Sequence, residues 1–211
     1  MRIVYDFIEG NGLPAFPPGG YARAARELRR RHRRGEFDLV HAHFGLSAWP
    51  AFALRGTKHA VTLHGTALRH PRSKRITRAA LPFLDLVCFN VFLESGPQFE
   101  SYLARLQNIA GDRPLLVTEA GLDSLRNSED AQAQALDWQV RTAFAGGCAG
   151  IFVFSWTDEW HRGGFDIEDW AFGLVDRDRE PKQALATVGK AFSETPFRPE
   201  ASWPRVSVVV C

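Results

Sequence analysis

A parallel β-sheet covered by helices is the architecture this sequence predicts, an α/β fold of about six βα units. Short runs that are apolar throughout recur along the chain, and strands without polar alternation are those buried on both faces. Between them lie amphipathic stretches at helical spacing. Hydrophobic residues make up 45% of the 211 and charged residues 24%, which excludes disordered and low-complexity classes. No apolar run reaches the roughly 18–20 residues that cross a bilayer, so no membrane span is expected.

The elements follow in order. Arg2–Tyr5 opens a first strand, and Pro17-Pro18-Gly19-Gly20 forms a loop. Tyr21–Arg34 reads as a helix, with Tyr21, Ala24, Ala25, Leu28 and His32 on one face. Phe37–His41 is a second strand, Leu46–Leu54 a short helix, and His59–His64 a third strand running into Gly65-Thr66. Arg75–Leu84 is a helix. The stretch Leu86–Leu93, rich in β-branched and aromatic residues, is a fourth strand. Pro97–Ile109 repeats Phe99, Leu103 and Leu106 at helical spacing, and Leu115–Thr118 is a fifth strand. Ala131–Ala145 is a helix with Ala135, Trp138, Val140 and Phe144 as core candidates. Ile151–Trp156 is a sixth strand and Pro181–Phe192 a last helix. Pro199–Pro204 is a linker, and Val206–Val210 begins another strand.

In parallel sheets the ligand-binding residues lie at the C-terminal ends of the strands. That rule selects His41 and His43, His64, Glu94, Glu119, and the pair Asp158 and Glu159. Glu119 follows a strand in PLLVTEAG, where a carboxylate sits among small residues. Trp156-Thr157-Asp158-Glu159-Trp160 sets two indoles around two carboxylates. Such a set suits a pyranose, whose C–H face packs on indole while its hydroxyls bond to carboxylates.

The net charge of +2 hides an asymmetry. Residues 1–87 hold 15 basic and 6 acidic residues, a net +9, and residues 88–211 hold 11 and 18, a net −7. The arginines of 29–34 and 69–75 read as a solvated helix face and loop, with no nucleic-acid partner, because no aromatic residues interleave with them. The acidic stretch Asp166, Glu168, Asp169, Asp176 and Asp178 has no regular ligand spacing, so no metal site is assigned. Three cysteines, an odd number without ligand spacing, point to free thiols in a reducing compartment and a cytoplasmic location.

Two resemblances divide the chain. The stretch FDLVHAHFGLSAWPAFALRG followed by HAVTLHGTALRHPRSKRITRAALPFLDLV resembles the N-terminal, Rossmann-like domain of family 4 glycosyltransferases over residues 1–87. The resemblance implies that Gly19, Gly20, His64 and Gly65 line a cleft for a nucleotide sugar and an acceptor, with His43 beside it. Ala67 departs from the acidic residue common after His-Gly-Thr, and a second Rossmann domain is not among these residues.

Residues 88–197 resemble the last βα units of a glycoside hydrolase TIM barrel, most like family 2. PLLVTEAG matches the seventh barrel strand, which implies Glu119 as nucleophile. GIFVFSWTDEW matches the eighth and implies Trp156 as sugar platform, with Trp160, Asp158 and Asn90 contacting the substrate. LVCFNVFLE matches the sixth, with Phe92 where the family often carries a tyrosine. The implied reaction is retaining hydrolysis, which needs two carboxyl groups about 5–5.5 Å apart and no cofactor. The family's Asn-Glu acid/base pair is absent from the sequence, which leaves Glu94 and Glu159 as substitutes.

Residues 198–211 comprise the linker and a strand resembling the start of a family 2 glycosyltransferase. The sequence therefore reads as a piece of a longer modular sugar-active protein. A nucleotide-sugar transferase remnant and a non-catalytic sugar-binding module are the competing readings. Open sheet edges are expected to invite self-association.

Overall fold

The predicted alternation of strands and helices is present in the computed structural model, which describes residues 20–43, 48–52, 54–63 and 71–195. A helix α1 (Gly20–Arg33) leads into β1 (Leu39–His43). A short α2 (Ala48–Ala51) follows, then β2 (Lys58–Leu63). α3 (Pro71–Ala80) ends in a 3-10 turn and is followed by β3 (Leu86–Asn90), α4 (Gly96–Ala110) and β4 (Leu115–Ala120). The remainder comprises α5 (Ser124–Asn127), α6 (Glu129–Ala145), β5 (Gly150–Val153), a hairpin of β6 (His161–Arg162) and β7 (Phe165–Asp166), and α7 (Gln183–Glu194). The expected strands at Arg2–Tyr5 and Val206–Val210, and the linker, lie outside the described residues.

Strands β1 to β5 form one parallel sheet in sequence order. Of the six predicted βα strands, five are therefore seen among the described residues. Their side chains alternate between the two faces. Val61 and Leu63 of β2, Val87 and Phe89 of β3, and Leu115 and Val117 of β4 face the helices. There they meet Phe99, Leu103 and Leu106 of α4 and Val140 and Ala143 of α6. These helical residues recur at spacings of three and four, the stripe that a sheet-packing helix requires. Ser128 caps α6, its hydroxyl accepting from the Ala131 N–H.

The opposite face carries His41, Thr62, Cys88, Asn90 and Thr118. The sheet curls toward this face. Thr62 Oγ1 donates to Thr118 Oγ1 at 3.5 Å although β3 runs between their strands. In a flat sheet, strands two apart would be separated by roughly 9.6 Å, so this contact requires barrel-like curvature.

Three departures from the sequence reading bear on the site. The predicted sixth strand, Ile151–Trp156, ends at Val153, and Phe154–Trp156 leave the sheet. The predicted helix at Arg75 begins at Pro71, where proline's fixed φ suits a helix start. The β6–β7 hairpin was not predicted. Its turn is Gly163-Gly164, with φ of 60° and 84°, the positive values a two-residue hairpin loop demands.

Candidate functional site

Glu119 reaches its position through a bulge. Along β3, Phe89 pairs with Val117 and Asn90 pairs with Glu119. Along β5, Ile151 pairs with Val117 and Val153 with Ala120. One extra residue is thus inserted into β4 at Thr118–Glu119. In an unbroken strand Glu119 would share the face of Val117, against the helices. Instead Ala120 takes that side, fully buried in the core with Val117. Both Thr118 and Glu119 are then free to meet Asn90, and re-aiming side chains is what bulges beside functional sites do.

Asn90 sits opposite Glu119 in the strand register, and Thr118 Oγ1 donates to Asn90 Oδ1 at 2.8 Å. Burial pushes the Glu119 carboxyl above the usual carboxylate range, and the Asn90 side chain partly opposes this. The main chain around Glu119 is fixed as well. Its carbonyl accepts from Val91 N–H at 2.8 Å, and the Ala120 carbonyl accepts from Phe154 N–H at 2.8 Å.

An aromatic shelf is built on these connections. Phe92 and Phe154 lie with ring centroids 5.7 Å apart, and both contact Phe172. Trp160 packs on Phe154 at 5.2 Å and stacks on Trp170 at 5.9 Å. Most of these contacts are edge-to-face, the arrangement ring quadrupoles favour. Trp156, predicted as the platform, is 53% exposed and makes none of these ring contacts. Because the strand stops at Val153, Phe154 takes the strand-end position instead.

Asp158 is buried beneath the shelf. Its Oδ1 accepts from Gly173 N–H at 2.7 Å and from Lys182 Nζ at 2.9 Å. Lys182 Nζ also donates to Ser124 Oγ and the Ala171 carbonyl. Asp158 therefore joins the loops that carry the shelf. Glu159 lies at the surface, bonded to Arg179. Glu94 is exposed on the loop after β3. His43 ends β1, its ring 4.8 Å from that of His41, and desolvation lowers its pKa from that of an ordinary imidazole. Gly20 is the first residue of α1. Gly19, His64 and Gly65 lie outside the described residues.

Several residues that the sequence reading passed over hold this region together. The Gln132 side-chain amide, fully buried, donates to the carbonyls of Leu122, Ala171 and Gly173. Gln139 Nε2 donates to the Leu93 carbonyl. A glutamine on the buried stripe of a predicted helix is the signal that could have found them, since a buried amide must find partners.

The crevice beside Phe154, Asp158, Trp160, Trp170 and Phe172 encloses about 10 Å³, too little for a sugar ring. A roomier space of about 500 Å³ is lined, among the described residues, by Arg26, Arg29, Arg30, Arg33 and Arg34 of α1. Among the described residues no group of His, Cys, Asp and Glu is arranged to hold a metal ion, and no helix is long and apolar enough to cross a membrane.

The sequence model of Glycosyltransferase Family 4 matches residues 2–90, ending at the last residue of β3. No curated protein matches the sequence. Solved structures with a similar fold include glycoside hydrolases. A GH5_18 protein from Streptomyces cattleya in complex with GlcNAc superposes with a TM-score of 0.66 at 15% identity, over 92% of this chain and 60% of its own. A β-D-glucuronidase from Dictyoglomus thermophilum gives 0.59 at 12%, over 84% and 36%. The β-glucuronidase of Bifidobacterium dentium gives 0.52 at 18%, over 69% and 25%. The chain thus spans a quarter to three-fifths of the length of these proteins. It combines a transferase-like sequence in its first part with an α/β fold like that of TIM-barrel glycoside hydrolases.

Proposed function

We propose that the chain carries a carbohydrate site of the retaining glycoside hydrolase type, with Glu119 as its nucleophile. The observation that carries this reading is a half-buried carboxylate at the C-terminal end of a parallel strand, opposite Asn90 in the register and next to Ala120, whose carbonyl anchors Phe154 of the aromatic shelf. Glu119 attacks the anomeric carbon and forms a glycosyl ester. A second carboxyl group protonates the departing oxygen, and water then releases the sugar. Trp160, Phe154 and Trp170 offer the apolar surface for the sugar ring. Glu159 and Glu94 are the acids to test. Glu159 would have to exchange its bond to Arg179 for the substrate.

The test is incubation of the folded chain with activated 2-fluoro glycosides, followed by intact mass and peptide mapping. A sugar adduct on Glu119 that is absent from Glu119→Gln is the expected result. No adduct with any sugar in the panel overturns hydrolysis and favours a non-catalytic sugar-binding module.

A second reading, a nucleotide-sugar transferase remnant, is supported by the family match over residues 2–90. Calorimetric titration with nucleotide sugars tests it, and absence of heat with all of them rejects it. In both readings the chain joins two sugar-active sequences near β3. Self-association through the edges of the sheet is part of the same proposal, and a monodisperse monomer in light scattering would reject it.

A further inference from the structure

Hydrogen bonds cross the inner face of the sheet from β1 to Glu119. His41 Nε2 and Thr62 Oγ1 are 2.7 Å apart. Thr62 Oγ1 donates to Thr118 Oγ1, and Thr118 Oγ1 donates to Asn90 Oδ1 at 2.8 Å. Asn90 then sits opposite Glu119 in the β3–β4 register, and its side chain holds the Glu119 pKa down against burial.

The direction of the series follows from counting protons. A hydroxyl has one proton to give. Thr118 gives its proton to Asn90 Oδ1, so the Asn90 oxygen faces Thr118 and the amide N–H₂ faces Glu119. Each donor in such a chain is polarised by the one before it. The series ends in an N–H aimed at a carboxylate that burial would otherwise push toward its neutral form.

We propose that Thr118 is a positioning residue for Glu119: its hydroxyl locks the Asn90 amide with its N–H₂ toward that carboxylate. The β4 bulge makes this possible, because it sets Thr118 and Glu119, adjacent in sequence, on the same partner. Loss of the Thr118 hydroxyl removes a bond that favours this orientation of the Asn90 amide. In the flipped orientation a carbonyl oxygen faces the Glu119 anion and disfavours it. The other titratable groups on this face, among the described residues, are His41, His43 and Cys88. Cys88 bonds to Thr62, and burial pushes its thiol up to about 12, so it stays neutral. Among the described residues, no charged side chain contributes to the Glu119 shift.

The inference rests on the reading of Glu119 as the reacting carboxylate, and its test does not depend on activity. The full chain is labelled with 13C at the glutamate carboxyl carbons, and Glu119 is assigned by the signal lost in Glu119→Gln. Thr118→Val is expected to weaken Glu119 as an acid about tenfold, roughly one pH unit in its midpoint. Thr118→Ser keeps the hydroxyl and is expected to titrate as the parent does. A midpoint unmoved in Thr118→Val, or moved equally by Thr118→Ser, overturns the proposal.

A second measurement needs no variant. The side-chain 15N signal of Asn90 in the parent chain is expected to shift with the same midpoint as Glu119. An Asn90 signal that ignores that titration also overturns the proposal. Should these results hold while 2-fluoro glycosides leave Glu119 unlabelled, the hydrolase reading fails and the positioning role stands.

Discussion

Lys182→Met is expected to be the most destabilising single change among the polar residues around the shelf. The Lys182 side chain is 4% exposed and that of Asp158 is 11% exposed. The ammonium uses its three protons on Asp158 Oδ1 at 2.9 Å, Ser124 Oγ at 2.9 Å and the Ala171 carbonyl at 3.3 Å. Methionine keeps the length of the side chain and supplies none of these bonds. Asp158 would remain as a buried anion, with Gly173 N–H as its remaining donor of the two described above. Removing one partner of a buried pair costs about 3–5 kcal/mol. For a domain of this size that is a fall in Tm of roughly 6–20 °C. Urea unfolding followed by tryptophan fluorescence reads the change, because Trp160 and Trp170 belong to the clamped loops. Asp158→Asn combined with Lys182→Met should recover part of the loss, since no uncompensated charge remains. A loss below about 1 kcal/mol for Lys182→Met would refute the argument. So would a double variant no more stable than the single one, since that would show the two charges are not coupled.

Two further outcomes follow from the site. Burial raises the Glu119 pKa above its unfolded value, so the stability this group contributes is fully present below the unfolded pKa and lost as pH rises through the folded one. Glu119→Gln should therefore raise Tm at pH 7, and the gain should vanish as the pH falls toward 4; equal Tm values at pH 7 would contradict the burial argument. At Gly121 an added Cβ would lie 2.3 Å from the Phe154 carbonyl oxygen and 3.2 Å from Phe172 Cδ1. Gly121→Ala must displace the backbone that supports the shelf, costing about 1–3 kcal/mol, and the adduct on Glu119 should be lost with it; unchanged Tm and labelling would show that the shelf can shift freely.

Much of the fold was legible because its signals are local. The stripe of Phe99, Leu103 and Leu106 specifies a helix packed on a sheet, and LVCFN and LLVTEA specify strands without any knowledge of their neighbours. The position of Glu119 at a strand end was legible for the same reason. The bulge was not, because insertion of one residue is defined by the partner strands, and Thr-Glu within an apolar run has no signature of its own. The aromatic shelf was half legible. Trp160 was singled out, while Phe92, Phe154 and the pair Trp170 and Phe172 join it from three segments that only the loops bring together. Trp156 illustrates the limit. An apolar run continues to it in sequence, but hydrogen bonding to β4 ends earlier, and the residue beyond faces solvent. Asp158 looked like a ligand for hydroxyl groups because carboxylates near indoles often are, and its buried ammonium partner lies 24 positions away.

The order of the strands has an evolutionary consequence. Each strand lies beside its predecessor, so the sheet is a row of units in which every new unit is laid against the last. The forces across each boundary are main-chain hydrogen bonds, indifferent to side-chain identity, together with an apolar face of fixed period. A block of units from one ancestor can therefore be replaced by a block from another wherever the inward and outward residues keep step. The register from Ala60↔Leu86 to Leu63↔Phe89 runs without interruption up to the residue before the transferase match comes to its end. Recombination at that point would change the vocabulary of the chain and leave its grammar intact.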